Sequence, residues 1–379
     1  MNKTSDNNFT PEFFERLSYQ SPFFVFSKKR IRENIQEFKE LFPGALLHYA
    51  MKANSEPEVL KLIADAGCGF EVASKYELHM LQKLKINPEK IVYGTAIKPA
   101  SHIKEFFEYG VKTFAFDSSS ELEKIAAIAP GSRVYVRLVV NDAGSVFKFS
   151  EKFGTDIENA VPLLLHAQEL GLQPYGISFH VGSQASNLHA WANALESLEP
   201  AMKELKEKGI PLEMLNIGGG YPYPYASAES ALSLQEIADV TLKQYKKLPY
   251  QPKLLLEPGR KLVADAGALL ATVIARVERK EHTWLFLDAG CYNGLFEAMP
   301  YQGSTRYQIE TTRLIKDEGE AMFALAGPTG DSQDVITREV LLPADMSVGD
   351  KVIIQNVGAY SLTVTSRFNG FPHPTVYFT

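Results

Sequence analysis

Cysteine is nearly absent from this chain: its 379 residues include two, Cys68 and Cys291. Two thiols cannot build a disulfide framework, and such usage points to a reducing, cytoplasmic compartment. Long apolar runs are missing as well. The longest candidate, Ala266 to Ala275, falls short of the roughly 20 residues a membrane-spanning helix needs, so no membrane role is expected. The opening MNKTSDNNFTPEFF is polar and acidic and lacks the apolar stretch of a signal peptide. Positive charge is not in excess: 39 Lys and Arg against 45 Asp and Glu give a net charge of -6, which argues against a nucleic-acid partner. There is no HExxH, CxxC, Walker loop or GxSxG, and the eight histidines are scattered, so no metal is expected.

What is present is an ordinary globular balance of 45% apolar and 22% charged residues. Short apolar runs recur with a regular rhythm: LLHYAMK (46–52), GCGFEVAS (67–74), IVYGTA (91–96), TFAFDS (113–118), VYVRLVV (134–140), GISFHVG (176–182), MLNIGGG (214–220) and KLLLEPGR (253–260). Most are rich in Val, Ile, Leu, Phe and Tyr, as strands buried on both faces are. Between them lie amphipathic stretches such as SEPEVLKLIADAG, with Ser and Glu at the start and Gly at the end. Eight strand-helix repeats predict a (β/α)8 TIM barrel over 28–266, with NDAGSVFKFSEKFGT inserted as a long loop at its mouth. After residue 266 strand-like runs follow one another with turns between. They predict an antiparallel, sandwich-like or Greek-key β domain made of 267–379, with 1–27 assigned to it.

In such barrels chemistry sits at the C-terminal ends of the strands. Reading those ends gives Lys52, Glu71 with Ser74, Thr95, Asp117, Arg137, His180, Gly218 to Gly220, and Glu257 to Arg260. The last two loops, Gly-Gly-Gly and Glu-Pro-Gly-Arg, suit a phosphate: glycines bring backbone N–H groups close, and Arg260 adds a forked cation. A shielded lysine at the mouth tends to become a nucleophile. Lysine plus phosphate site points to pyridoxal phosphate held as a Schiff base, with Glu257 on the ring nitrogen and His180 stacked on the ring face. Taken singly, Lys52 reads as a surface lysine, His180 as a core histidine, the glycines as a turn, and Thr95 and Asp117 as helix caps. Their convergence in strand order is what argues for a site.

HYAMKAN, GFEVASKYEL, FKFSEKFG, SFHVGS, IGGGYPYPY, EPGR, GPTGDSQD, GAYS and FNGF, in that order, resemble the motifs of the fold type III pyridoxal-phosphate decarboxylases, which act on ornithine, lysine, arginine and diaminopimelate. The resemblance spans nearly the whole chain and implies an alanine-racemase-like barrel plus a β domain. It implies that Lys52 holds the cofactor, that His180 stacks on it and that Glu257 pairs with its nitrogen. Ser183, Gly220, Gly259, Arg260 and Tyr360 would hold the phosphate, with Glu71, Arg137 and Lys152 in support. It also implies a homodimer whose subunits complete each other's sites, Lys152 reaching across the interface and Phe368 lining the partner's pocket. Asp331, where diaminopimelate enzymes carry Glu, would bind the distal amine of ornithine or lysine, and Asp288 lies near a second amine-binding acid.

One position departs from the pattern. Ornithine-type enzymes have Cys after GPT, and that Cys protonates the α-carbon once carbon dioxide has left. Here the residue is Gly330. Four outcomes are open: another acid such as His180, Lys52 or water donates the proton; the proton goes to the cofactor, giving an aldehyde and pyridoxamine phosphate; the intermediate meets oxygen; or the space admits a larger or carrier-linked substrate. The expected activity is decarboxylation of ornithine or lysine to a diamine, as in polyamine biosynthesis. A reading of another class is a non-catalytic relative that binds a partner protein. Retention of Lys52, His180, Glu257, Arg260 and Tyr360 weighs against it.

Overall fold

The computed structural model describes residues 9–149, 151–225, 232–299, 307–313 and 319–379. Two units emerge. One holds Arg32–Pro222 and Ala231–Gly259; the other holds Met1–Ile31, Tyr223–Ser230 and Arg260–Thr379.

The first strand, β1 (Phe23–Phe26), belongs to the second unit. The next five, β2 (Leu46–Ala50), β3 (Gly69–Val72), β4 (Ile91–Tyr93), β5 (Thr113–Phe116) and β6 (Arg133–Leu138), are separated by helices such as Pro57–Asp65 and Lys75–Lys83. A short β7 (Ser145–Phe147) precedes β8 (Gln173–Phe179), and β9 (Ser183–Ala185) follows it; then come β10 (Met214–Asn216) and β11 (Lys253–Leu256). The eight strands β2 to β6, β8, β10 and β11 close into a barrel through parallel pairings. Each of the eight apolar runs supplies one of them. Strands β3, β4, β5 and β10 are buried at every residue, which is why their sequences are apolar without alternation. Val92, Ala115, Tyr135, Met214 and Leu255, from five strands, form one buried cluster, a packed layer as such barrels have.

The inserted loop carries β7, which pairs antiparallel with β9; one bond braces it internally and another ties its far end to the barrel. Phe149 N donates to Asp142 Oδ2 at 2.7 Å, and Gly154 N donates to Asp117 Oδ2 at 2.9 Å. Asp117 therefore anchors the loop instead of capping a helix. Ser150, within FKFSEKFG, lies outside the described residues.

The second unit is built on the twelve-residue β12 (Gly267–Glu278), followed by β13 (Thr283–Leu287), β14 (Ile309–Thr311), β15 (Glu320–Ala326), β16 (Val335–Pro343), β17 (Lys351–Gln355) and β18 (Thr375–Phe378). Strand β12 pairs with β1 and β17 along its first half and with β13 along its second, joining all of these strands into one connected sheet. The expectation of an antiparallel domain needs correcting at two pairings: β13 with β15, and β1 with β18, are parallel. Runs of strands and turns do not reveal this, because parallel neighbours here are separated by long connections that the sequence pattern leaves unassigned. Phe9, Phe14, Phe23 and Val25 pack with Ala268, Leu270 and Ile353, so the N-terminal aromatics belong with this sheet. Among the described residues no helix is long and apolar enough to cross a membrane.

Candidate active site

Lys52 lies in a short 3-10 turn just after β2, and Glu71 lies opposite Ala50 on β3. Lys52 Nζ donates to Glu71 Oε2 at 2.7 Å; the carboxylate is buried while the lysine side chain stays 48% exposed. The amine is thus pinned at its tip and accessible along its length. Arg137, at the end of β6, sits with its guanidinium 5.6 Å from the Phe153 ring centre.

Glu257 follows β11. Its Oε1 accepts from Asn216 Nδ2 at 2.6 Å. Burial, with the nearby Glu71 carboxylate, pushes Glu257 up to about 7, against the pull of Lys52, Asn216 and Arg137. His180, after β8, has Nδ1 3.0 Å from the Gly182 N–H, which can only donate, so the ring's proton sits on Nε2. Burial first, then the Arg137 and Lys52 cations, holds the imidazole well below its usual range, so it is neutral at pH 7. Phe149 meets its ring edge-on, 5.0 Å between centres at 78°.

The glycine turn runs between these groups. A Cβ on Gly219 would come within 2.6 Å of the Glu257 carbonyl oxygen and 3.3 Å of His180 Nε2. One on Gly220, at φ +95°, would strike the Gly182 carbonyl. Only glycine lets the backbone pass here. Gly220 O accepts from Ala185 N at 3.1 Å, which brings β9 and its Ser183 beside the turn. Pro258 O accepts from Ala50 N at 3.1 Å, holding the Glu257–Gly259 loop to the strand before Lys52. Lys52, Glu71, Arg137, His180, Ser183, Gly220, Glu257 and Gly259 therefore all belong to the barrel unit, and they stand at or just beyond its strand ends.

This donor set fits pyridoxal phosphate. A partly protonated carboxyl gains a cationic partner if a protonated ring nitrogen lies against it; a primary amine stands ready for an aldehyde; and the turn offers backbone N–H groups with no side chain in the way.

The remaining expected residues belong to the sheet unit. Arg260 is buried, and its fork is taken by an internal carboxylate: Nη1 to Glu297 Oε2 and Nη2 to Glu297 Oε1, both 2.6 Å. Nη1 also donates to Tyr225 Oη at 2.9 Å, and Tyr360 lies 4.7 Å from the guanidinium. Tyr360 itself adopts φ +53°. Both Nη atoms of Arg260 thus meet the Glu297 carboxylate. Replacing Glu297 with Ala strands a buried cation and should cost about 3–5 kcal/mol, read as a lower denaturant midpoint with unchanged slope.

Asp331 accepts from Tyr292 Oη at 2.5 Å and from Gln333 N at 2.9 Å; the Tyr292 hydrogen bond is the larger reason its carboxyl is held below the usual range. The same bond pushes the Tyr292 phenol up to about 12. Tyr292 stacks on Phe368, 4.5 Å between centres, and Phe368 is 41% exposed. Gly330 N donates to Asn369 Oδ1 at 3.2 Å, and a Cβ on Gly330 would meet nothing within 4 Å. Asp288 is differently engaged: Thr272 N donates to Oδ1 at 2.8 Å and Ser21 Oγ to Oδ2 at 2.6 Å, so both oxygens serve the sheet. Lys152 is exposed and lies 5.0 Å from the Phe153 ring.

Four residues escaped the sequence reading. Asn216 immediately precedes the IGGG run, and a polar residue ending an apolar strand was its one signal. Asp334 accepts from Cys291 N at 2.7 Å, Thr329 Oγ1 at 2.7 Å and Thr329 N at 3.1 Å, fixing the shape of GPTGDSQD. Glu297 and Tyr292 carry no local pattern at all; their partners are distant in sequence.

Comparison with known proteins agrees with this geometry. Residues 28–264 match the family model described as pyridoxal-dependent decarboxylase, pyridoxal binding domain. A lysine/ornithine decarboxylase of Selenomonas ruminantium is 35% identical over 94% of this chain and 90% of its own. Antizyme inhibitor 2 of Xenopus laevis is 32% identical, covering 92% of this chain and 78% of its own. The crystal structure of a lysine/ornithine decarboxylase from Vibrio vulnificus, complexed with putrescine, superposes with a TM-score of 0.87 at 30% identity, over 96% of this chain and 95% of that one. With Lys52, Glu257, His180 and the glycine turn gathered at one barrel mouth, the chain belongs to the pyridoxal-dependent decarboxylases.

Proposed function

We propose that this decarboxylase acts on ornithine or lysine, releasing carbon dioxide and the corresponding diamine. The observation that carries the substrate class is Asp331: its carboxyl is held ionised by Tyr292 and the Gln333 N–H, which suits it to receive a distal ammonium. Relatives named for ornithine and lysine support the same class. When bound, pyridoxal phosphate supplies an aldehyde for the substrate amine and a ring that draws electrons from the α-carbon. Lys52 is the amine that holds the cofactor between turnovers. Glu257, as carboxylate, keeps the ring-nitrogen proton in place and so favours charge that develops only in the transition state. His180, neutral and flat, covers the ring without adding charge. The N–H groups of the glycine turn, with Ser183, receive the phosphate. In the net change the bond from α-carbon to carboxylate breaks, its electron pair stays on carbon, and one proton takes the place of the carboxylate.

Gly330 favours a second reading of the outcome. With no side chain there, the proton comes from another group, and some turnovers end on a carbonyl product instead of the diamine. The working unit in this reading is a homodimer whose exposed Phe368 meets the partner's site.

The test is product analysis by mass spectrometry, with pyridoxal phosphate and L-ornithine or L-lysine, with and without oxygen, on protein weighed in solution. Putrescine or cadaverine over many turnovers, from a species of twice the chain mass, is the expected result. Aldehyde with pyridoxamine phosphate or oxygen uptake would replace the diamine reading with the second. A bound cofactor without turnover would exclude both substrates. Failure to bind cofactor at all would favour the protein-binding reading to which antizyme inhibitor 2 points.

A further inference from the structure

Asn216 is buried to 1% exposure at the end of β10, and its amide is used on both sides. Oδ1 accepts from Gly218 N at 2.9 Å. A backbone N–H can only donate, so this contact fixes which way the amide points. The NH2 must then face Glu257, and Nδ2 lies 2.6 Å from Oε1. Oε2 of Glu257 takes no hydrogen bond from any described residue. One amide therefore links the glycine turn to the carboxylate and leaves that carboxylate a single open oxygen.

We propose that Asn216 is a positioning residue for the cofactor's ring nitrogen, turning Glu257 so that one oxygen stays open while locking it in register with the glycine turn. The proposal rests on the reading of Glu257 as the ring-nitrogen partner. The groups that bear on Glu257 are Glu71 from β3, Lys52 after β2, and Arg137 from β6; Tyr135 and Tyr221 feel its charge in turn. Burial and Glu71 favour the protonated acid, whereas Lys52, Arg137 and the Asn216 N–H favour the carboxylate. Removing the N–H takes away one of three supports for the charge.

The test uses two probes, pyridoxal phosphate and its 1-deaza analogue, in which ring nitrogen is replaced by CH. Both are titrated by absorbance into the full-length apoprotein between pH 6 and 8.5. The ratio of the two affinities isolates the ring nitrogen, because damage to the phosphate turn weakens both probes alike. In the wild type the ratio should rise through the Glu257 titration, as the carboxylate appears. In Asn216→Ala that rise should begin about one pH unit higher, and the ratio at pH 7 should fall about tenfold, the effect of one hydrogen bond to a charged group. Glu257→Gln should flatten the ratio at all pH values, and Asn216→Ala added to it should change the ratio no further. An unmoved pH limb in Asn216→Ala, with both probes weakened equally, would reduce Asn216 to a structural role and overturn the proposal. An unchanged ratio in Glu257→Gln would instead overturn the reading of Glu257, and is distinguishable from it.

Discussion

Lys52→Ala should leave a folded protein that turns over at least roughly three orders of magnitude more slowly and no longer retains cofactor covalently. Lys52 is half-exposed, and its amine donates to Glu71 Oε2. Its loss therefore removes no core packing, and thermal stability should change little through hydrophobic terms. It does leave the Glu71 carboxylate, buried to 5% exposure, without its cation. The affinity for free pyridoxal phosphate should survive in part, because the glycine turn, His180 and Glu257 are untouched. The measurement is peptide mass after borohydride reduction: the wild type should carry the added mass on the peptide containing Lys52, and the variant on none. Added mass on another lysine, such as the buried Lys98, would sink the assignment.

Gly330→Cys should fold as the parent does and raise diamine formation. The backbone there is open: a Cβ would meet no atom within 4 Å, and φ is not in the left-handed region, so the substitution carries no steric penalty. A thiol at this place would supply a positioned acid, an effect of about 10²–10⁴-fold where proton transfer limits the rate. The expected readings are a higher kcat for diamine and fewer carbonyl products per turnover, with the denaturant midpoint unchanged. If the product ratio and kcat stay as they were, the proton reaches the α-carbon from a group that position 330 does not influence. Neither Cys68 nor Cys291 can substitute for it. Both thiols are buried, and Cys291 donates to the Val335 carbonyl while burial pushes its pKa upward.

The barrel was legible because its strands are buried on both faces over most of their length, so most of their residues had to be apolar regardless of the neighbour. The strand ends were legible for the converse reason: Lys52, Glu71, His180 and Glu257 interrupt those runs where nothing structural calls for charge. What the pattern could not carry was pairing. Asp288 and Asp331 look alike in sequence, yet Asp288 spends both oxygens on Thr272 and Ser21, while Asp331 is presented between Tyr292 and Gln333. Arg260 reads as an anion site, and the carboxylate its fork meets, Glu297, lies 37 residues away with no local pattern to announce it. The parallel direction of β13 against β15 likewise depends on a connection, and connections have no period to read.

Strand β1 has its partners far along the chain. Phe23 to Phe26 run beside Thr375 to Phe378, and their antiparallel neighbours on β12 lie beyond the whole barrel. A ribosome adding about 5–20 residues per second leaves that first strand waiting for tens of seconds with its edges bare. Barrel closure needs nothing later than β11, so it can finish first. The nascent chain thus has an order of assembly written into its connectivity. The aromatic strand made before the barrel finds its partners only after the barrel's last strand exists, and until then its unpaired edges need shielding from other chains.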